Sequence, residues 1–122
     1  MSSREEMARA VLEQERDMIG AAQKAKAYDN SILFLKRNIA KGQISLKELN
    51  SVQQNQKAYR PLGRAFILRN KEDIQTELEG IIKNNETDIK DYEKNRAHLI
   101  KKRDELEKLV KEGVEKIKQM QQ

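Results

Sequence analysis

Two long runs of this chain repeat seam residues at alternating intervals of four and three, and that spacing limits the fold more sharply than any other feature. The first passes through Met7, Val11, Gln14, Met18, Ala21, Ala25, Tyr28, Ile32, Leu35 and Ile39. The second passes through Leu78, Ile82, Asn85, Ile89, Tyr92, Arg96, Leu99, Arg103, Leu106, Val110, Gly113, Ile117 and Met120. A mean spacing of 3.5 keeps one stripe of side chains turned towards a partner helix, so each run predicts a coiled-coil helix. The expected spans are 3–41 and 71–120. Ser2 or Ser3 is placed to cap the first and Asn70 the second. Glu5, Glu6 and Asp73 fall in first turns, where the helix dipole favours negative charge. Gly42 is placed to end the first helix. The second helix is about 75 Å long at 1.5 Å per residue, too long to hide in a small globule.

Two seams of similar length, joined by a short connection, pair most simply with each other and antiparallel. If Ile39 lies near Leu78, paired position numbers sum to about 117. Ala25 then stands opposite Tyr92 and Ala21 opposite Arg96, small against large, as close packing needs.

Between the helices, residues 43–56 read as a connector. Ser45 and Glu48 have capping-box spacing, and Leu46, Leu49 and Val52 predict one short helix, followed by the polar Gln53-Gln54-Asn55-Gln56. Residues 57–69 then read as a β-hairpin. Gly63-Arg64 suits a two-residue type II′ loop, with glycine at the first central position. That turn pairs Leu62 with Ala65, Pro61 with Phe66, Arg60 with Ile67 and Tyr59 with Leu68. By strand alternation Tyr59, Pro61, Phe66 and Leu68 share one face, and Leu62, Ala65 and Ile67 the other. Both faces are apolar, and an isolated two-stranded hairpin is marginal in water, so other chains are expected to cover it. The turn leaves the nitrogen of Pro61 pointing outward, which removes a donor from that edge and makes Ala65–Leu68 the better edge for pairing between subunits. The fold class expected is mainly α: two long helices in an antiparallel coiled coil, joined by a connector and a β-hairpin that assembles with other subunits, all in one domain.

Charged residues are 37% and aromatics 4% of the 122 residues, which fits long helices with narrow seams rather than a large core. The net charge of +5 is uneven: residues 1–32 carry −1, residues 33–70 carry +7 and residues 71–122 carry −1. The basic middle suits acidic partner subunits or nucleic acid. The former is preferred, because only Tyr59 and Phe66 are there to stack bases and both serve a hairpin core. With no cysteine there is neither a disulfide framework nor thiolate chemistry. The opening residues lack the apolar core of a signal peptide, and no apolar run approaches a membrane span, so a soluble, cytosolic chain is expected.

Asn85, Arg96 and Arg103 occupy seam positions. They read as polar groups that fix register, the arginine stems along apolar surface and their heads in water. His98, the one histidine, is expected at the solvated surface; with no cysteine it makes no usual zinc site. The glycines are scattered and form no phosphate loop. No catalytic residue, cofactor or metal ligand is expected. The helix ends are more suggestive: Met7, Val11, Met18, Val114, Ile117 and Met120 are apolar, and methionine adapts to varied surfaces. Seam packing and a binding role both fit them.

The order helix, hairpin, helix resembles a β-type subunit of prefoldin. The residues that carry the likeness are Tyr59, Leu62, Gly63, Arg64-Ala65-Phe66-Ile67-Leu68, Lys71-Glu72 and Ile74. The resemblance implies a hexamer of α- and β-type subunits built on a β-barrel body, with Tyr59, Leu62, Gly63, Phe66, Ile67 and Leu68 at the oligomer interface. It implies capture of unfolded proteins, such as actin and tubulin, by coiled-coil tips, and delivery to a cytosolic chaperonin without ATP. Here the tip is Met7, Val11, Val114, Ile117 and Met120. Pro61 departs from the usual pattern, in which a residue able to donate a hydrogen bond is common. A stand-alone antiparallel coiled-coil scaffold or adaptor is the alternative, but it would not need apolar residues on both hairpin faces.

Overall fold

The computed structural model describes residues 3–51, 57–62 and 65–121, of which 57–62, 65–69 and Gln121 are described by their backbone alone. The order is α1 (Ser3–Asn50), β1 (Lys57–Leu62), β2 (Ala65–Asn70) and α2 (Lys71–Gln121). The chain divides into two compact units, Met1–Ser31 with Tyr92–Gln122, and Ile32–Asp91. Glu5 and Glu6 open α1, and Glu72 and Asp73 open α2, at the positive ends of the helix dipoles.

The seams lie where the spacing places them. Every expected seam residue but Met120 is buried or half-buried. The core is thin. Among the described residues it consists of Val11, Ala21 and Ala25 in the first unit, and of Ile32, Leu49, Ile74 and Ile89 in the second. Among the described residues no polar side chain is fully buried.

The first helix does not stop at Gly42. It continues to Asn50, so residues 43–50 are neither a connector nor the start of a separate short helix, and Ser45 with Glu48 caps nothing. Ile39, Gly42, Leu46 and Leu49 extend the alternation of three and four without a break, and Leu49 is only 7% exposed. A glycine inside a helix costs about 1 kcal/mol, less than burying two leucine side chains gains. Gly42 also serves packing: a Cβ there would stand 3.0 Å from Ile82 Cγ1 and 3.2 Å from its Cδ1. The helix closes instead at Ser51, whose N–H and hydroxyl both donate to the Glu48 carbonyl, at 3.1 and 2.6 Å. A bond three residues back is a common way to satisfy a last-turn carbonyl. The Ser2 cap, the polar stretch 53–56 and the Gly63-Arg64 turn lie outside the described residues.

The two strands pair antiparallel in the register Leu62↔Ala65, Pro61↔Phe66, Arg60↔Ile67 and Tyr59↔Leu68, extended to Ala58↔Arg69 and Lys57↔Asn70. Asn70 ends β2 and Lys71 begins α2 directly.

The helices pair antiparallel within each unit, but not in the register expected. In the first unit Val11 packs on Gly113, and in the second Ile82 packs on Gly42; both pairs of numbers sum to 124. Tyr92 meets Tyr28 rather than Ala25, and Arg96 meets Asp29 rather than Ala21. The shift from 117 is one heptad. A slide by seven residues returns every seam residue to a seam position, so periodicity alone does not exclude it. Close approach at the two glycines fits the observed register, with Val11 against Gly113 and Ile82 against Gly42.

Candidate functional site

Two regions were singled out from the sequence, the strand pair and the helix ends. For the strand pair the backbone brings Tyr59 opposite Leu68 and Leu62 opposite Ala65, with Phe66 opposite Pro61 and Ile67 opposite Arg60. Gly63 lies outside the described residues, as do the side chains on both faces.

The helix ends belong to the unit Met1–Ser31 with Tyr92–Gln122. Its α1 and α2 segments approach closely where Val11 sits on the glycine at 113, a position that has no room for a Cβ. Val11 is therefore a buried packing residue, 9% exposed, rather than a contact open to a partner. Met7 and Ile117 are half-buried. Val114, at 38%, and Met120, at 47%, are exposed. The five residues thus divide into one that closes the seam and four that keep apolar surface in reach.

Three further large apolar residues of this unit are exposed outside the expected set, namely Leu12 at 61%, Ile19 at 48% and Leu109 at 46%. Reading the seam alone overlooks them because each stands one position outside it. Their signal is a doubling, since Val11-Leu12, Met18-Ile19 and Leu109-Val110 each place a second large apolar residue beside a seam residue. Leu12 and Ile19 line a shallow groove on α1 with Arg16 and Gln23.

A polar layer crosses the same unit. The Tyr28 and Tyr92 rings are tilted at 51° with centroids 5.5 Å apart, a favourable aromatic geometry. The Asn95 amide donates to the Tyr28 hydroxyl at 3.5 Å, and Arg96 Nε faces Asp29 Oδ1. The Arg96 and Asp29 side chains remain 41% and 51% exposed. Arg103 bonds its own neighbour Asp104, at 2.9 and 3.1 Å. Arg103 thus keeps its head at the surface, as its seam position suggested, whereas Arg96 is part exposed with its Nε atom buried against Asp29, and Asn85 is half-buried. His98 is exposed, beside a groove it shares with Lys24, Tyr28, Ser31, Asn95 and Leu99. Among the described residues no three of His, Asp and Glu gather as metal ligands, and no helix is long and apolar enough to cross a membrane. The arrangement offers adaptable apolar surface on a paired-helix support.

Two comparisons bear on this reading. Residues 12–122 match the family described as Prefoldin subunit. The chain is also 30% identical over 116 residues to Prefoldin subunit 1 of Tetraodon nigroviridis, across 95% of this chain and 89% of that protein.

Proposed function

The chain belongs to the prefoldin subunit family, and from that premise we propose that it is a β-type subunit of a hexameric chaperone that captures unfolded proteins without ATP. The strand pair joins it to other α- and β-type subunits, in the cytosol. The free helix ends hold clients of the actin and tubulin kind, which pass to a cytosolic chaperonin. The family match over residues 12–122 carries the proposal, since it spans both helices and the strands between them.

The chemistry of the helix ends supports it. An unfolded chain presents scattered apolar groups, so its receptor needs several weak, adaptable contacts rather than one rigid pocket. Met7, Val114, Ile117 and Met120 offer such contacts, two of them flexible thioethers. Repetition of the arm in an oligomer multiplies them through effective concentration. In the strand pair, Pro61 leaves the β1 edge short of a donor, so the Ala65–Leu68 edge is the one that pairs with a neighbouring subunit.

The test separates the two roles in one complex. Removing residues 1–11 and 114–122 leaves assembly intact and weakens protection of unfolded actin from aggregation. Phe66→Asp with Ile67→Asp prevents assembly, followed by native mass spectrometry. A tip-truncated complex that protects actin as well as the intact one would move the client site away from the helix ends. A chain that stays a monomer at all concentrations would favour the scaffold reading.

A further inference from the structure

The helix α1 carries a second ladder, on the side turned away from α2. In residues 32–50 the seam runs through Ile32, Leu35, Ile39, Gly42, Leu46 and Leu49, all buried or half-buried. About half a turn round the helix stand Phe34, Arg37, Lys41 and Ile44, all exposed, Phe34 by 62% and Ile44 by 59%. Leu33, beside Phe34, is 49% exposed. The four repeat the spacing of three, four and three, which keeps side chains in one stripe along a coiled-coil helix. Among the described residues of α2, the exposed large apolar residues Ile81, Leu109, Val114 and Met120 form no pair ten residues apart that flanks two cations.

We infer that this ladder docks a helix of another protein that presents apolar, acidic, acidic and apolar side chains at the same spacing. The apolar ends, Phe34 and Ile44, lie ten residues or about 15 Å apart along the helix. Arg37 and Lys41 fill the interval, and neither has an ion pair among the described residues. Residues 33–50 hold Lys36, Arg37, Lys41 and Lys47 against Glu48 alone, so the partner's centre is negative.

The order of the four side chains excludes the other occupants. A lipid surface takes cations at the rim of an apolar stripe, whereas here they lie in its middle and would be carried into the acyl region. Nucleic acid has no use for large apolar groups at both ends, with Phe34 the one ring available for stacking. A second copy does not match either. The chain's acidic pairs four residues apart are Glu13-Asp17 and Asp73-Glu77, and their flanking positions hold Ala10 and Gly20, or Asn70 and Gly80. None is a large apolar group.

A photocrosslinking amino acid placed at position 44 of the full-length chain, in its own cells, tests this. The expected adduct lies on a helical segment of a different protein that carries the complementary ladder. Arg37→Glu with Lys41→Glu lowers its yield about fivefold, the effect of losing two exposed charge pairs of about 0.5 kcal/mol each. Changing the partner's two acids to lysine in that variant restores it, and unchanged circular dichroism shows the variant folded. An adduct with a second copy, nucleic acid, lipid or a segment lacking the acidic pair overturns the inference. So does the absence of any adduct, or a yield indifferent to the charge reversal.

Discussion

Among the described residues, Ile32, Leu49, Ile74 and Ile89 are the buried side chains of the unit Ile32–Asp91, whereas Val11, Ala21 and Ala25 are those of Met1–Ser31 with Tyr92–Gln122. Both units follow one heptad pattern, so the contrast lies in what fills it. A large aliphatic side chain contributes about 1.5–3 kcal/mol when buried, an alanine methyl about 0.8. The first unit adds the Val11–Gly113 approach and a half-exposed polar layer. Close approach improves contact without removing much apolar area from water, and an exposed ion pair contributes little. A shared repeat therefore gives two segments of unequal cohesion. On fully buried side chains alone, the unit that bears the strands is expected to be the firmer and the unit that bears the helix ends to open at lower cost. A client-holding surface of the kind proposed for the helix ends would suit the second kind.

The largest effect is expected where large side chains do the packing. Ile89→Ala removes a side chain that is 9% exposed and should cost about 3 kcal/mol, cavity included. Urea unfolding of the assembled protein measures it, and hydrogen exchange should quicken most within 32–91. A loss below about 1 kcal/mol would mean that this unit is not the firmer one.

Next comes the glycine at 113. An added Cβ there meets Val11, a β-branched residue with one strongly preferred rotamer in a helix, so it does not swing aside. Overpacking of this kind costs about 1–3 kcal/mol, from which the helix propensity of alanine returns up to about 1. Gly113→Ala should be net destabilising, and combining it with Val11→Ala should remove most of the penalty. Gly42→Ala meets Cγ1 and Cδ1 of Ile82 at 3.0 and 3.2 Å, a looser approach than that at Val11, and should cost less. Equal losses at the two glycines would erase this difference between the units.

These glycines also mark how far the sequence could be read. The helical class, both seams and the strand register follow from local rules: period, turn chemistry and alternation. The end of α1 was not legible from Gly42 alone, because a glycine at a helix stop and a glycine that admits Ile82 look alike to a local rule. The clue was its place in the series Ile39, Gly42, Leu46, Leu49. Register was hidden for a related reason. A heptad slide preserves the pattern, so only single close contacts such as Val11 on Gly113 distinguish 124 from 117. At the helix ends Val11 was legible as apolar, but its burial depended on that register, while Leu12 and Ile19 lay outside the seam being followed.

Two glycines off the seam provide the control. Gly20, in the first unit, and Gly80, in the second, have nothing within 4 Å of an added Cβ. Gly20→Ala and Gly80→Ala should each stabilise by up to about 1 kcal/mol through helix propensity alone, and by similar amounts. A clear inequality would show that the backbones of the two units differ, not only their cores.

The smallest effect tests the polar layer. Arg96 and Asp29 face each other across the first unit with 41% and 51% of their side chains exposed. Solvent screens such a pair and both side chains lose freedom in making it, so a coupling of about 0.5 kcal/mol is expected. A cycle of Asp29→Ala, Arg96→Ala and the double variant isolates that coupling. The single Arg96→Ala variant would not, because it also removes the apolar stem from the seam. Raising the salt to about 1 M shortens the screening length to about 3 Å and should shrink the coupling further. A coupling above about 2 kcal/mol that resists salt would be the signature of a desolvated pair. The layer would then hold the first unit as firmly as the isoleucines hold the second, and the free helix ends would project from a rigid support rather than a yielding one.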